Sequence, residues 1–293
     1  MALTGGFGVF SLAFRLPNKS VAAVLAGERA IPYEGGMTSS LPDRPRVGLF
    51  VTCLADLFRP SVGFAAVKLL EGAGCHVEAP SVQVCCGQPA YNSGDRADAT
   101  EIARQVIEAF ETYDYIVAPS GACAGMLRKH YPVLFEDDPE MAGRAKAFSA
   151  RCFELVAFLT DVLRVSAVHA KFSGTVTYHD SCSNLRDMGT SGQPRALLRT
   201  VEGLTLVEAG NREVCCGFGG SFSVKYPDIS NAMVSAKTAA LAETGADLVV
   251  GGDLGCLMNI AGKLSRENSP MHARHVAEIL AGELDAPPIA SRE

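Results

Sequence analysis

The chain has 293 residues, 48% of them hydrophobic and 20% charged, with a net charge of −6 at pH 7. That is enough apolar material for one large core or two smaller ones, and it excludes a globally disordered chain. The acidic balance argues against non-specific nucleic-acid binding, which needs basic patches, and no apolar run approaches the roughly 18 residues of a spanning helix.

Residues 1–45 carry Gly5, Gly6, Gly8, Pro17, Pro32, Gly35, Gly36 and Pro42, which interrupt any regular period. They read as a flexible N-terminal extension, with Met37 as an alternative start of translation. The start is largely apolar, but Arg15 and Lys19 follow the apolar run instead of preceding it, the reverse of a secretory signal.

Order is expected from Arg46. The apolar run 47–51 predicts a buried parallel strand that ends at Thr52 and Cys53. Pro60 opens a helix over 61–73 with its stripe at Val62, Ala65, Ala66, Leu69 and Leu70; Gly72 or Gly74 can end it. A short strand at 76–78 leads to Cys85, Cys86 and Gly87. A helix over 95–110 brings Ile102, Val106, Ile107 and Phe110 into register. A strand follows at 115–118, and the loop 119–123 opens a helix toward Tyr131. Residues 138–165 are expected to be helical, with Phe148, Cys152, Leu155, Val156 and Leu159 on one face.

The second half replays the first. A strand at 175–178 leads to His179, Asp180, Ser181 and Cys182. Pro194 opens a helix through Arg199. A strand at 204–207 leads to Cys215, Cys216 and Gly217, a helix spans 228–243, and a strand at 247–250 leads to Gly255 and Cys256. A strand at 271–275 and a helix to Leu280 close the series, and residues after Glu283 read as a frayed tail. This alternation predicts an α/β fold of two pseudo-repeated halves, each a mainly parallel sheet flanked by helices. The expected divisions are an extension over 1–45, a first cysteine-rich domain with a linker helix over 46–170, a second over 171–283 and a tail over 284–293.

The phrase Val84-Cys85-Cys86-Gly87 recurs 130 residues later as Val214-Cys215-Cys216-Gly217. At the same offset, Val77-Glu78-Ala79 recurs as Val207-Glu208-Ala209. Eight of the ten cysteines sort into two equivalent quartets: Cys53, Cys85, Cys86 and Cys123, then Cys182, Cys215, Cys216 and Cys256. Each follows a predicted strand, so each projects from a loop at the carboxyl edge of a sheet, where open α/β sheets place their sites. Converging thiols suit an iron–sulfur cluster, a zinc ion or a metal-free redox site. Structural zinc usually takes Cys-x-x-Cys knuckles, which neither quartet contains. Adjacent cysteines reach different metals of a multi-iron cluster more naturally than they bind one zinc ion. Gly87 and Gly217 are expected to let backbone approach the cluster, and Gly121 to serve either plain packing or the same close approach. A chain with this much core has no need of a disulfide scaffold, so reduced thiols and a cytoplasmic location are expected.

Several phrases carry a resemblance: LFVTCLAD from Leu49, CCGQPAYNSG from Cys85, PSGAC from Pro119, CCGFGGSFSVK from Cys215 and DLGCLMN from Asp253. They resemble the paired CCG domains of the cysteine-rich component of heterodisulfide reductase and of the iron–sulfur subunits of glycolate oxidase and anaerobic glycerol-3-phosphate dehydrogenase. More closely, over residues 46–282, they are similar to the lactate-utilisation protein A family. The resemblance implies an iron–sulfur electron-transfer subunit of an L-lactate-oxidising complex that makes pyruvate and works with lactate-utilisation proteins B and C as partners. It implies one cluster per half, of [4Fe-4S] type, on Cys53, Cys85, Cys86 and Cys123 and on Cys182, Cys215, Cys216 and Cys256. The alternatives are a thiol/disulfide redox subunit like heterodisulfide reductase, an iron–sulfur subunit acting on glycolate or another 2-hydroxy acid, and a zinc-stabilised assembly protein. No catalytic residue is assigned.

One departure bears on the cluster. The reductase pattern ends in Cys-x-x-Cys and supplies five cysteines per site, whereas Ser120 and Asp253 stand at the penultimate positions here. Four thiolates hold a cubane but not the reductase's double cluster. Ser120 and Asp253 are expected to cap the helices that follow, with an oxygen ligand as the other reading. Ser183 stands where the family pattern has His. Cys75 and Cys152 match nothing across the halves and read as buried small hydrophobes. His179, oriented by Asp180, is a candidate donor to cluster sulfur or proton relay. Lys225 and Arg186 are expected to be exposed, and Tyr91, Asn92 and Ser93 to offer polar contacts that tune a potential. No Gly-x-Gly-x-x-Gly loop follows a strand, so a nicotinamide site has no support.

Overall fold

The computed structural model describes residues 44–81, 85–210 and 212–291. The expected extension up to residue 43, with Met37, lies outside the described residues, and so does Val84. The first half contributes β1 (Arg46–Leu49), β2 (His76–Glu78), β3 (Tyr115–Ala118) and β4 (Cys152–Glu154), and the second β5 (Lys171–His179), β6 (Glu202–Val207), β7 (Leu248–Gly251) and β8 (His272–His275). They form two four-stranded sheets in the orders β2-β1-β3-β4 and β6-β5-β7-β8. Every pairing is parallel, with Gly48 opposite Ile116 in one sheet and Val176 opposite Leu248 in the other. The expected α/β architecture of two repeated halves is therefore present. Val47 and Leu49 of β1 and all four residues of β7 are buried, as strands covered on both faces must be.

The covering helices follow their apolar stripes. Pro60–Gly72 starts at its proline and buries Val62, Ala65, Ala66 and Leu70. Arg96–Phe110 is capped by Asp95, whose carboxylate accepts from the Asp98 amide, and buries Ala99, Ala103, Val106, Ile107 and Phe110. No helix among the described residues is long and apolar enough to cross a membrane.

The stretch expected to be one helix between the halves is broken. Met141–Ser149 is helical, but Cys152–Glu154 is β4, paired with β3 so that Ala118 faces Glu154. A short apolar run fits a buried strand as well as a helical face, and the open edge of β3 decides between them. The expected frayed tail also differs. Ile289 is buried and its amide donates to Ala273 O, while Pro287 O accepts from Arg59.

The last helix of each half crosses to the other half. Val276–Ala281, after β8, packs on Pro60–Gly72, and Leu155–Ala157, after β4, packs on Gly192–Leu198. The first crossing is pinned by Glu278, which is fully buried and accepts from Arg59 Nε at 2.9 Å and Ser61 Oγ at 2.6 Å. One continuous apolar core consequently runs through both halves, joining Leu70, Val156, Leu197 and Leu280. A second core, around Phe50, Ile107, Tyr131 and Phe148, lies within the first half.

Candidate functional site: two cysteine quartets

Parallel topology puts all the strand ends of a sheet on one side, and each quartet draws on three of them. Cys53 opens the helix Cys53–Phe58 after β1, Cys123 lies in Gly121–Gly125 after β3, and Cys85 and Cys86 follow β2. In the second half Cys182 follows β5, Cys256 lies in Leu254–Arg266 after β7, and Cys215 and Cys216 follow β6. Cys53 Sγ is 3.9 Å from Cys85 Sγ. Cys86 interacts thiol to thiol with both Cys85 and Cys123. The second quartet repeats the chain of contacts, Cys182 to Cys215 and Cys216 to both Cys215 and Cys256. All eight cysteines singled out in the sequence are thus brought together as two groups of four. Cys75 and Cys152 stand apart, both fully buried. Burial pushes the Cys75 thiol up to about 12, and the Cys152 thiol donates to Phe148 O. Cys152 is on a strand, not on the helical face expected of it.

The loops hold the sulfurs with backbone. The Gly217 amide donates to Cys215 Sγ at 3.4 Å and the Phe218 amide to Cys216 Sγ at 3.5 Å. Gly87 and Gly217 both have positive φ, +85° and +82°, a conformation that favours glycine. A Cβ on Gly217 would lie 2.7 Å from Ser230 O, so that glycine also lets the loop approach its covering helix. Of the two roles expected of Gly121, the structure gives it the packing one. A Cβ there would lie 2.0 Å from Asn184 Oδ1, so its lack of a side chain makes room for the other half of the protein.

Sulfurs this close cannot all ionise unaided. Thiol hydrogen bonds from Cys53 and Cys86 hold Cys85 well below the usual thiol range, and those from Cys182 and Cys216 do the same for Cys215. The donors Cys53, Cys86, Cys182 and Cys216 are pushed up, by proton sharing with neighbouring sulfurs and then by burial. A centre of several positive metal ions replaces those shared protons and lets every thiol become a thiolate. Four soft donors, two of them adjacent, with amides directed at sulfur, fit an iron–sulfur group.

Ser120 and Asp253 meet each other between the halves. Ser120 Oγ donates to Asp253 Oδ1 at 2.6 Å and accepts from the Cys123 amide at 3.3 Å, so Ser120 caps its own helix as expected. Asp253 does not cap its own helix. Its Oδ1 accepts from the Ala122 amide of the first half at 2.9 Å, and its Oδ2 accepts from Ser181 Oγ. The expectation fails here because the partner half brings an unpaired helix start within reach of the carboxylate. Its oxygens being taken up by these donors, Asp253 fits a structural seam better than a ligand role.

Around the second quartet the polar residues are arranged otherwise than expected. Asp180 does not orient His179; it is buried against Arg195, Oδ2 2.6 Å from Nη2, and Arg195 also holds Glu208 at 2.7 Å. His179 is 1% exposed, and among the described residues neither ring nitrogen has a hydrogen-bond partner. One ring nitrogen and the sulfurs of Cys216 and Cys256 lie within 4.8 Å of one another. Burial, with help from Lys237, pushes His179 down to about 3, which leaves the imidazole neutral with one donor and one acceptor. Lys237, fully buried, donates to Arg212 O at 3.0 Å and interacts with Cys216, Cys215 and Cys256. Sequence reasoning missed it, because one lysine in a helix reads as solvated; the signal available was the apolar residue at its counterpart in the repeat. Lys225 and Arg186 are exposed, as expected. Tyr91 packs its ring at a tilt against His130, centroids 4.7 Å apart, while Asn92 and Ser93 line a cleft of about 510 Å³ that reaches Cys215 of the other half.

The cysteine-rich domain family, CCG, matches the chain twice, over residues 47–128 and 176–261. Lactate utilization protein A of an Exiguobacterium species is 50% identical over 238 residues, covering 80% of this chain and 97% of that protein. Lactate utilization protein A of Halalkalibacterium halodurans is 49% identical over 235 residues, covering 80% and 96%. A hypothetical protein from Helicobacter pylori of known crystal structure aligns with a TM-score of 0.57 at 11% identity, over 85% of this chain and 52% of that one, a likeness of fold alone. With two matched CCG domains and about half of its residues identical to these relatives over 80% of its length, the chain belongs to the lactate utilization protein A family.

Proposed function

We propose that the protein is an iron–sulfur electron-transfer subunit of a complex that oxidises L-lactate to pyruvate. The observation that carries this reading is the convergence of four thiols in each half at the same sheet edge. Each quartet holds one [4Fe-4S] group, through Cys53, Cys85, Cys86 and Cys123 in domain 46–170 and Cys182, Cys215, Cys216 and Cys256 in domain 171–283. Such groups supply one-electron transfer when bound. The chain's own contribution is to fix the sulfurs by strand ends and amides and to bury Cys86, Cys216 and Cys256 away from water. The name of the relatives supports the lactate assignment, and its letter fits a system of several components, with lactate-utilisation proteins B and C as the partners. Tyr226 lines the cleft beside Cys215, and Val224 and Ile229 in the same segment are also exposed, which favours docking of a partner there. Thiolate ligands need a reducing compartment, so the reading includes a cytoplasmic location.

The test is anaerobic purification followed by iron and sulfide analysis and EPR. About eight irons per chain are expected, four per quartet; stoichiometric zinc with no iron would overturn the reading. The cleft at Cys215 favours a second reading, in which a substrate sulfur contacts the second site directly as in a heterodisulfide reductase. A heterodisulfide that leaves the EPR signal of that site unchanged removes it.

A further inference from the structure

The duplication allows each quartet's surroundings to be compared position by position. Cys53 and Cys182 follow equivalent strands, so the residue three before each is equivalent too: Phe50 in the first half and His179 in the second. The covering helices align through the glycines of the Cys-Cys-Gly loops. A Cβ on Gly87 would touch Ala99 and Ile102, and one on Gly217 would touch Ser230 and Met233. Carried four residues on, that alignment pairs Val106 with Lys237. Phe50 and Val106 are buried members of the apolar core behind the first quartet. Their counterparts behind the second quartet are a buried imidazole within 4.8 Å of Cys216 and Cys256 and a buried lysine.

We propose that the two quartets hold groups of unequal reduction potential, that the second half's group is reduced first, and that His179 and Lys237 set the order. This rests on the iron–sulfur reading. Reduction adds one electron and one negative charge to a group already surrounded by four thiolates; no bond breaks and no proton moves. In a buried site a nearby ammonium stabilises that added charge strongly, and an imidazole N–H offered to sulfur does the same. Phe50 and Val106 offer neither. The remaining polar residues do not cancel the difference. Asp180 pairs with Arg195, and the excess carboxylate of that trio is the partly exposed Glu208. Asp253 acts on Cys182 and opposes the shift, but its oxygens are already held by Ser120, Ser181 and the Ala122 amide. The carbonyls of Cys86 and Cys216 each receive one side-chain donor, Tyr131 Oη at 3.0 Å and Asn259 Nδ2 at 2.9 Å, so that contribution is matched.

The experiment is an EPR-monitored reductive titration of the full chain, loaded anaerobically with iron and sulfide and titrated with dithionite. Two separate reduction events are expected. Cys216→Ser removes the higher-potential event and Cys86→Ser the lower. His179→Phe and Lys237→Val each shift only the higher event downward, by at least tenfold in the reduction equilibrium, about 59 mV for one electron. Phe50→His raises only the lower event, and this arm does not depend on how the second-half variants fold. Coincident events, an inverted assignment by the cysteine variants, or substitutions that move both events equally would each overturn the proposal while the iron count stays at about eight. A chain that takes up no iron overturns the iron–sulfur reading and this proposal with it.

Discussion

The two halves share a sheet order, a parallel register and a thiol quartet, yet differ in what stands behind the sulfurs. Phe50 and Val51 of the first half are replaced by His179 and Asp180, Val106 by Lys237, and Ser120 by Asp253. The quartet is retained in both because topology delivers its members: three strand ends converge wherever the sheet forms. The surroundings are free to diverge because a core position accepts either an apolar side chain or a polar one whose partners arrive with it. Asp180 with Arg195 is such a set, and so is Asp253 with Ser120, Ser181 and the Ala122 amide.

The comparison can be broken most severely at the cysteines. Cys86→Ser and Cys216→Ser are each expected to halve the iron content and abolish one EPR signal while sparing the other. Loss of both signals from either variant would mean that the halves do not load independently. Next in size, Arg195→Ala strands the buried Asp180 carboxylate and is expected to cost about 3–5 kcal/mol in urea unfolding. The double change Asp180→Val with Arg195→Met, which imitates Val51 of the first half, should recover most of that loss.

The strand-end pair Glu154 and His275 gives opposite pH dependences. Burial, with Asp253 nearby, pushes Glu154 up to about 8, from 4.5. The folded state therefore binds more protons than the unfolded one between those values. The contribution is fully present below pH 4.5 and is lost as pH rises toward 8, at up to about 1.4 kcal/mol per pH unit. Burial pushes His275 below its ordinary 6.5, so its contribution is present above pH 6.5 and is lost as pH falls. Glu154→Gln should flatten the alkaline limb of a urea-midpoint profile and leave the acid limb alone, and His275→Gln the reverse. Ser120→Ala removes a cap and one donor to Asp253, with an expected loss of ~1–2 kcal/mol. The smallest effect is expected at Lys225, which is exposed and donates to Ser93 Oγ at 3.2 Å; Lys225→Ala should change stability by under ~0.5 kcal/mol.

Much of this fold is legible in the chain. The apolar run 47–51 and the stripe behind Pro60 mark elements that the structure contains within a few residues. β4 was illegible because Cys152, Phe153 and Glu154 are too few to show a period, and only the free edge of β3 makes them a strand. Lys237 was illegible for a related reason: helical spacing places a residue on a face but does not say what covers that face.

The sequence by itself determined the duplication, the parallel α/β halves and the membership of both cysteine quartets, because a repeat with cysteines after its strands leaves one edge for them to share. Only the tertiary structure decided what lies between and behind them. The crossing of Val276–Ala281 onto Pro60–Gly72, the capping of the first half's helix by Asp253, and the placement of the His179 imidazole beside Cys216 and Cys256 all join residues far apart in the chain. Local propensity carries no record of such contacts; they form where two packed halves supply each other's missing hydrogen-bond partners and apolar cover.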